Sequence, residues 1–151
     1  MPEEIVHRFN ELSSKGEIKT FSKNFSAKIN EYPNVSAFFM DTLSLLGAKE
    51  KTKYEIDLVV EEVFTNVAKF AYSTEGDCFI SIISCGNIIK ITFTDSGVKF
   101  NPLDKEDPDI LASAENRDIG GLGIFMVKKL CDFVCYEYVN DTNNLILYKE
   151  L

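Results

Sequence analysis

Ile56, Val59, Val63, Val67 and Phe70 recur at spacings of three and four between residues 54 and 72, the most regular apolar stripe in the chain. That period matches 3.6 residues per turn and predicts an amphipathic helix whose apolar face needs a large apolar surface to cover it. The cover lies just downstream. Residues 78–84 and 88–94 read as strands rich in Ile and Phe, separated by Gly86-Asn87, a two-residue turn whose members tolerate positive φ. A helix followed by a hairpin already restricts the chain to folds in which helices pack on an antiparallel sheet.

The flanking segments extend this pattern. Ile5, Phe9 and Leu12 give residues 3–14 a weak helical period that ends near Ser13-Ser14-Lys15-Gly16. Residues 18–26 read as a strand, and Asn34-Val35-Ser36 after Pro33 is expected to cap a helix carrying Phe38, Phe39, Leu43 and Leu46, closed by Gly47. Residues 103–119 are polar with few apolar anchors and read as a surface loop. A last helix is expected over 123–132, then strands over 133–139 and 145–149 joined through Asn140-Asp141-Thr142-Asn143. Strands paired in hairpins with helices gathered on one face make an α+β fold. The expected architecture is a two-layer sandwich with a mostly antiparallel sheet of about five strands. Residues 18–151 form the main domain, and 1–17 an accessory helix suited to dimerisation or partner binding.

Charge and cysteine usage narrow the function. The formal charge is −8 and no Lys/Arg run builds a phosphate-tracking stripe, so nucleic acid is not an expected direct partner. Cys78, Cys85, Cys131 and Cys135 form no CxxC pair, and His7 is the sole histidine, which leaves a poor zinc ligand set. The cysteines read as reduced core residues. No apolar run approaches the ~20 residues needed to span a bilayer and no hydrophobic signal stretch opens the chain, so a cytoplasmic protein is expected.

Three polar motifs stand out. Glu62 and Asn66 lie i and i+4 on the striped helix, with Lys69 a turn further along the same border. A carboxylate there can accept a proton while the carboxamide oxygen ligates Mg²⁺, but taken alone the pair reads first as an ordinary solvated helix face. Asp95-Ser96-Gly97 follows a strand, where an Asp either forms a turn or reads an exocyclic amine such as that of adenine. Gly120-Gly121-Leu122-Gly123 opens a helix, whose free N–H groups and dipole favour phosphate, although glycines also simply punctuate loops. This last motif is neither a Walker A loop nor a Rossmann turn.

Taken in order, these motifs resemble the GHKL, or Bergerat-fold, ATPases, and within them the small bacterial anti-sigma-factor serine kinases. The matching stretches are Glu61-Glu62-Val-Phe-Thr65-Asn66-Val-Ala-Lys-Phe-Ala-Tyr72, Asp95-Ser-Gly97-Val-Lys-Phe100-Asn-Pro102 and Gly120-Gly121-Leu-Gly123-Ile-Phe-Met-Val, within a likeness covering about residues 18–151. The resemblance implies Mg·ATP as the bound nucleotide. Glu62 would be the general base, Asn66 the Mg²⁺ ligand and Asp95 the adenine reader. Lys69, Gly97, Phe100, Gly120, Gly121, Leu122, Gly123 and Asn144 would complete the nucleotide contacts, and 103–119 would form a lid. It further implies a sigma factor and a small STAS-type anti-sigma antagonist as partners, with homodimerisation left open. A protein kinase needs the base at Glu62; a nucleotide-gated binding module of the same fold does not. The ATP-binding half of a histidine kinase is disfavoured, because His7 lies in no long helical hairpin. Two positions depart from the family pattern: Phe70, where histidine is frequent, and Asn144, where threonine usually begins the final strand.

Overall fold

The computed structural model of the protein describes residues 2–104 and 121–151, without the side chain of Leu122. Its elements are α1 (Glu4–Lys15), β1 (Ile18–Ser26), a 3₁₀ turn (Ile29–Glu31), α2 (Tyr32–Leu45), α3 (Glu50–Phe70), β2 (Asp77–Cys85), β3 (Ile88–Asp95), a second 3₁₀ turn (Pro102–Asp104), α4 (Gly121–Leu130), β4 (Phe133–Val139) and β5 (Thr142–Glu150). The five strands form one antiparallel sheet in the order β1-β2-β3-β5-β4. This is the expected α+β sandwich.

The main core lies between the sheet and three helices. Val35, Phe39 and Leu43 of α2, Ile56, Val59, Val60, Val63 and Phe64 of α3, and Ile124 and Val127 of α4 pack on Phe25, Ile80, Ile82, Ile89, Ile91, Phe93, Leu145 and Leu147. The period-two alternation of the strands brings those sheet residues to one face. The apolar stripe of α3 is broader and shorter than the sequence suggests. Val60 and Phe64 join it, while Phe70 is 70% exposed and belongs to neither core cluster.

The N-terminal helix takes the opposite face. Ile5 and Phe9 of α1 pack against Cys85, Ile88, Ile146 and Tyr148, with Phe9 meeting the Tyr148 ring edge-on at 5.6 Å between centroids. Both sides of the sheet therefore carry apolar cover at the Gly86 end, and the apolar face of α1 is spent within the chain.

Element ends differ from expectation where capping signals are weak. Helix α2 begins at Tyr32 with Pro33 in its first turn, where a missing N–H costs nothing, so Asn34 lies inside the helix and is not its cap. Helix α3 begins at Glu50, four residues before its apolar stripe, with no side-chain cap at Lys49. The largest consequence comes at β4–β5. The four-residue connection expected over 140–143 is a two-residue turn, with Asn140 at φ 52° and Asp141 at φ 61°, and Thr142 already pairs with Val139. Asn and Asp are the non-glycine residues that best accept that left-handed conformation.

All four cysteines are free. Burial raises each thiol, that of Cys131 to about 12, which fits their reading as reduced core residues, although Cys135 is only partly buried. No helix of the described residues is long and apolar enough to cross a membrane.

Lys149 joins three elements: its Nζ donates to Glu55 Oε2 on α3 at 2.9 Å and to the Leu130 carbonyl at the end of α4 at 2.6 Å. The Lys149 hydrogen bond holds the Glu55 carboxyl below its ordinary range against the opposing effect of burial. A lowered folded value means that the contribution is complete at neutral pH and is lost as pH falls below about 4.5 and through that lower value. Lys149→Met should therefore destabilise by about 1–3 kcal/mol at pH 7. In urea titrations the gap to wild type should narrow progressively as pH falls below about 4.5; a pH-independent gap would count against the Glu55 pairing.

Candidate functional site

A cavity of about 460 Å³ opens between α3, the ends of β3 and β5, and the start of α4. Its walls are apolar, from Val63, Val67, Phe93, Ile124 and Leu145. Its polar lining groups include Asn66, Asp95 and Asn143. A mostly apolar cleft with a few convergent polar groups is the usual form of a small-molecule site.

At one end, Asp95 closes β3 and is 8% exposed. Its Oδ1 accepts the Gly97 N–H and Asn143 Nδ2, each at 2.9 Å. The Asn143 amide also donates to the Val98 carbonyl at 2.9 Å, and its oxygen accepts the Phe100 N–H at 3.0 Å and the Tyr136 hydroxyl. Burial raises the Tyr136 hydroxyl above its ordinary range, which keeps it a donor. One side chain thus fastens the Asp95 carboxyl to the loop that follows it. No described residue donates to Asp95 Oδ2.

The same loop is pinned to the end of α3. The Ala71 carbonyl accepts the Val98 N–H at 2.8 Å, and Tyr72 Oη accepts the Ser96 N–H at 2.8 Å while donating to the Asp77 carbonyl at 2.6 Å. Gly97 lies so close to Ala71 that a Cβ would collide with its carbonyl. Tyr72, at the end of the first motif, therefore acts as a brace between α3, β2 and the Asp95 loop.

At the other end, Asn66 Nδ2 donates to Glu62 Oε1 at 3.0 Å. A carboxylate can only accept, so it turns the amide nitrogen toward itself and leaves Asn66 Oδ1 for another partner. A Cβ on Gly123 would strike the Glu62 carboxyl, so α4 begins directly against this pair. Two oxygen-bearing side chains at a glycine-built helix start, with an acceptor oxygen unspent, make a donor set suited to a hard cation beside phosphate.

Of the residues singled out in the sequence, Asn66, Asp95 and Phe100 line the cavity; Glu62 joins it through Asn66; Gly97 and Gly123 form the close approaches. Gly121 and Leu122 belong to the first turn of α4. Gly120 and residues 105–119 of the expected lid lie outside the described residues. Lys69 is exposed and does not line the cavity. Asn144 is also not brought in: alternation turns it to the far sheet face, where its Oδ1 accepts the Thr94 hydroxyl at 2.7 Å and its amide donates to Thr142. Asn143, opposite Asp95 in the register, holds the inward position. The sequence signal that finds it is the Asn140-Asp141 pair read as the entire turn.

A family model for the histidine kinase-like ATPase domain matches residues 25–149. Among solved structures, the chain is similar to the crystal structure of the RsbU and RsbW domains of Rv1364c from Mycobacterium tuberculosis. The TM-score is 0.65 at 16% identity, covering 88% of this chain and 32% of that one. The chain spans about a third of that structure's length, and at this identity the likeness speaks for the fold. No curated protein matches it significantly.

The two close glycines differ in what they touch. Gly97→Ala meets rigid backbone and should cost about 1–3 kcal/mol in chemical denaturation. Gly123→Ala meets the movable end of Glu62 and should cost less. Equal stabilities for Gly97→Ala and wild type would disprove the Ala71 approach.

Proposed function

This chain belongs to the family of histidine kinase-like ATPase domains, and on that premise we propose that it is a Mg·ATP-dependent protein serine/threonine kinase. Its substrate would be a small antagonist protein of a sigma factor, and the chain would hold that sigma factor when the antagonist is absent or phosphorylated. The observation that carries this reading is the Asn66 to Glu62 hydrogen bond. Among the described residues it leaves one amide oxygen of Asn66 unspent at one end of a cavity whose other end holds Asp95, and one carboxyl oxygen of Glu62 unspent beside it.

The chemistry divides among this chain's residues as follows. Asp95 Oδ2 accepts a donor from the nucleotide base, with Phe93, Val98 and Phe100 providing apolar surface for the ring. The N-terminal turn of α4 offers backbone N–H groups to the phosphates. Mg²⁺ held at Asn66 Oδ1 would neutralise phosphate charge, the largest electrostatic demand of phosphoryl transfer. Glu62 takes the proton of the incoming serine or threonine hydroxyl through its free carboxyl oxygen. Asn66 fixes that carboxyl and limits its rotation, which favours proton transfer along one direction.

The resemblance of the three motifs to anti-sigma-factor serine kinases supports the partner class. Residues 103–119 would serve as the lid that excludes water during transfer.

Glu62→Gln keeps the shape and the Asn66 neighbour but removes the base. Incubated with Mg·ATP and a candidate antagonist, the wild type should add one phosphate to the antagonist by intact-protein mass spectrometry. Glu62→Gln should slow that transfer by roughly 10²–10⁴-fold, with ATP-induced thermal stabilisation largely retained. Equal loss of binding and transfer would overturn the base role. Nucleotide binding by the wild type with no phosphate on any antagonist would leave a nucleotide-gated binding module.

A further inference from the structure

The hydrogen bonding around Asn143 points beyond the identity of the site to the way it chooses among nucleotides. A carboxylate oxygen offers two lone-pair directions, and a carboxamide offers two N–H donors and an acceptor oxygen. Asp95 Oδ1 spends both directions, on the Gly97 N–H and on Asn143 Nδ2. Asn143 spends everything as well: its two N–H groups go to Asp95 Oδ1 and the Val98 carbonyl, and its oxygen takes the Phe100 N–H and the Tyr136 hydroxyl. It lines the cavity yet keeps no group for a ligand.

Among the described residues, the Asp95–Asn143 pair therefore keeps one acceptor atom for a ligand, Asp95 Oδ2. A 6-aminopurine presents a single exocyclic amine there beside a ring nitrogen that accepts, and one acceptor atom satisfies it. A guanine presents a ring N–H and an exocyclic amine side by side, and two adjacent donors require two acceptor atoms. A buried donor left without a partner weakens binding by about tenfold to a hundredfold. We infer that Asn143 is the residue that sets purine selectivity in this cavity, by occupying Asp95 Oδ1 so that a guanine cannot use it. This rests on the nucleotide-site reading above. Asn143 acts through Asp95 and is a positioning residue.

The chain's own placement favours a built device. Asn143 is 6% exposed on β5 directly opposite Asp95, and Tyr136 on β4, which also lines the cavity, donates to its oxygen. Because the same amide also ties down Val98 and Phe100, the selectivity element and the loop bearing the ring-contact surface are fixed by one side chain.

The test measures ADP and GDP affinities by calorimetry for wild type, Asn143→Leu and Tyr136→Phe. Asn143→Leu preserves volume and frees Oδ1, so the preference for ADP over GDP should fall by about tenfold to a hundredfold. Tyr136→Phe keeps the Asn143 bond to Asp95 but loosens it, and the preference should fall by about threefold; it carries the test alone if Asn143→Leu does not fold. Parallel weakening of both nucleotides, with their ratio unchanged, would reduce Asn143 to a structural role and overturn the inference. Failure of the wild type to bind either nucleotide would instead bring down the site reading itself, a result separate from any change in ratio.

Discussion

Helix α3 lies with Ile56, Val59, Val60, Val63 and Phe64 pressed onto the inner face of the sheet, and the polar features of the site take their positions from that contact. Burying side chains of this size stabilises by about 1.5–3 kcal/mol each, so the register of the helix against the sheet is set by apolar burial. Glu62 and Asn66 inherit their places as the polar border of that buried face. Ala71 and Tyr72, just past its end, become the wall against which the Asp95 loop is drawn. A rotation of the helix that moved Asn66 would have to expose Val63 or Phe64.

Within that frame, the polar groups of the cavity are arranged by mutual satisfaction. Among the described residues, no buried side-chain nitrogen or oxygen lacks a partner. The cost of leaving a buried donor or acceptor empty explains why Asp95, Asn143 and Tyr136 bond to one another instead of to solvent. The same accounting, among the described residues, leaves one oxygen each of Asp95 and Asn66 unbonded at the cavity and one of Glu62 beside it. The cavity is thus apolar along its length and acceptor-rich at its ends. Such a lining suits a flat base at one end and, with a cation, a phosphate chain at the other.

The sheet is covered unequally on its far side. Helix α1 shields Ile88, Ile146 and Tyr148 near the Gly86 turn, whereas the end behind Asp95 carries Thr92, Thr94, Asn144 and Glu137. Asn144 belongs to that polar surface, tied to Thr94 and Thr142. The far face therefore contributes to stability at one end and leaves the backbone behind the cavity to its inner-face packing.

Periodicity and turn chemistry determined much of this protein from the sequence alone. The α3 stripe, the Gly86-Asn87 hairpin, the boundaries of β1 and β4, and the Glu62, Asn66 and Asp95 motifs are all local patterns, legible because backbone geometry repeats every 3.6 or every two residues. Their joining into one cavity, with Gly97 against Ala71 and Gly123 against Glu62, was decided by tertiary packing, since no local pattern records which backbone another segment will touch. The choice between Asn143 and Asn144 was decided there too. A two-residue turn at Asn140-Asp141 and pairing with β3 set the phase of β5, and a phase error of one residue exchanges the inner face for the outer.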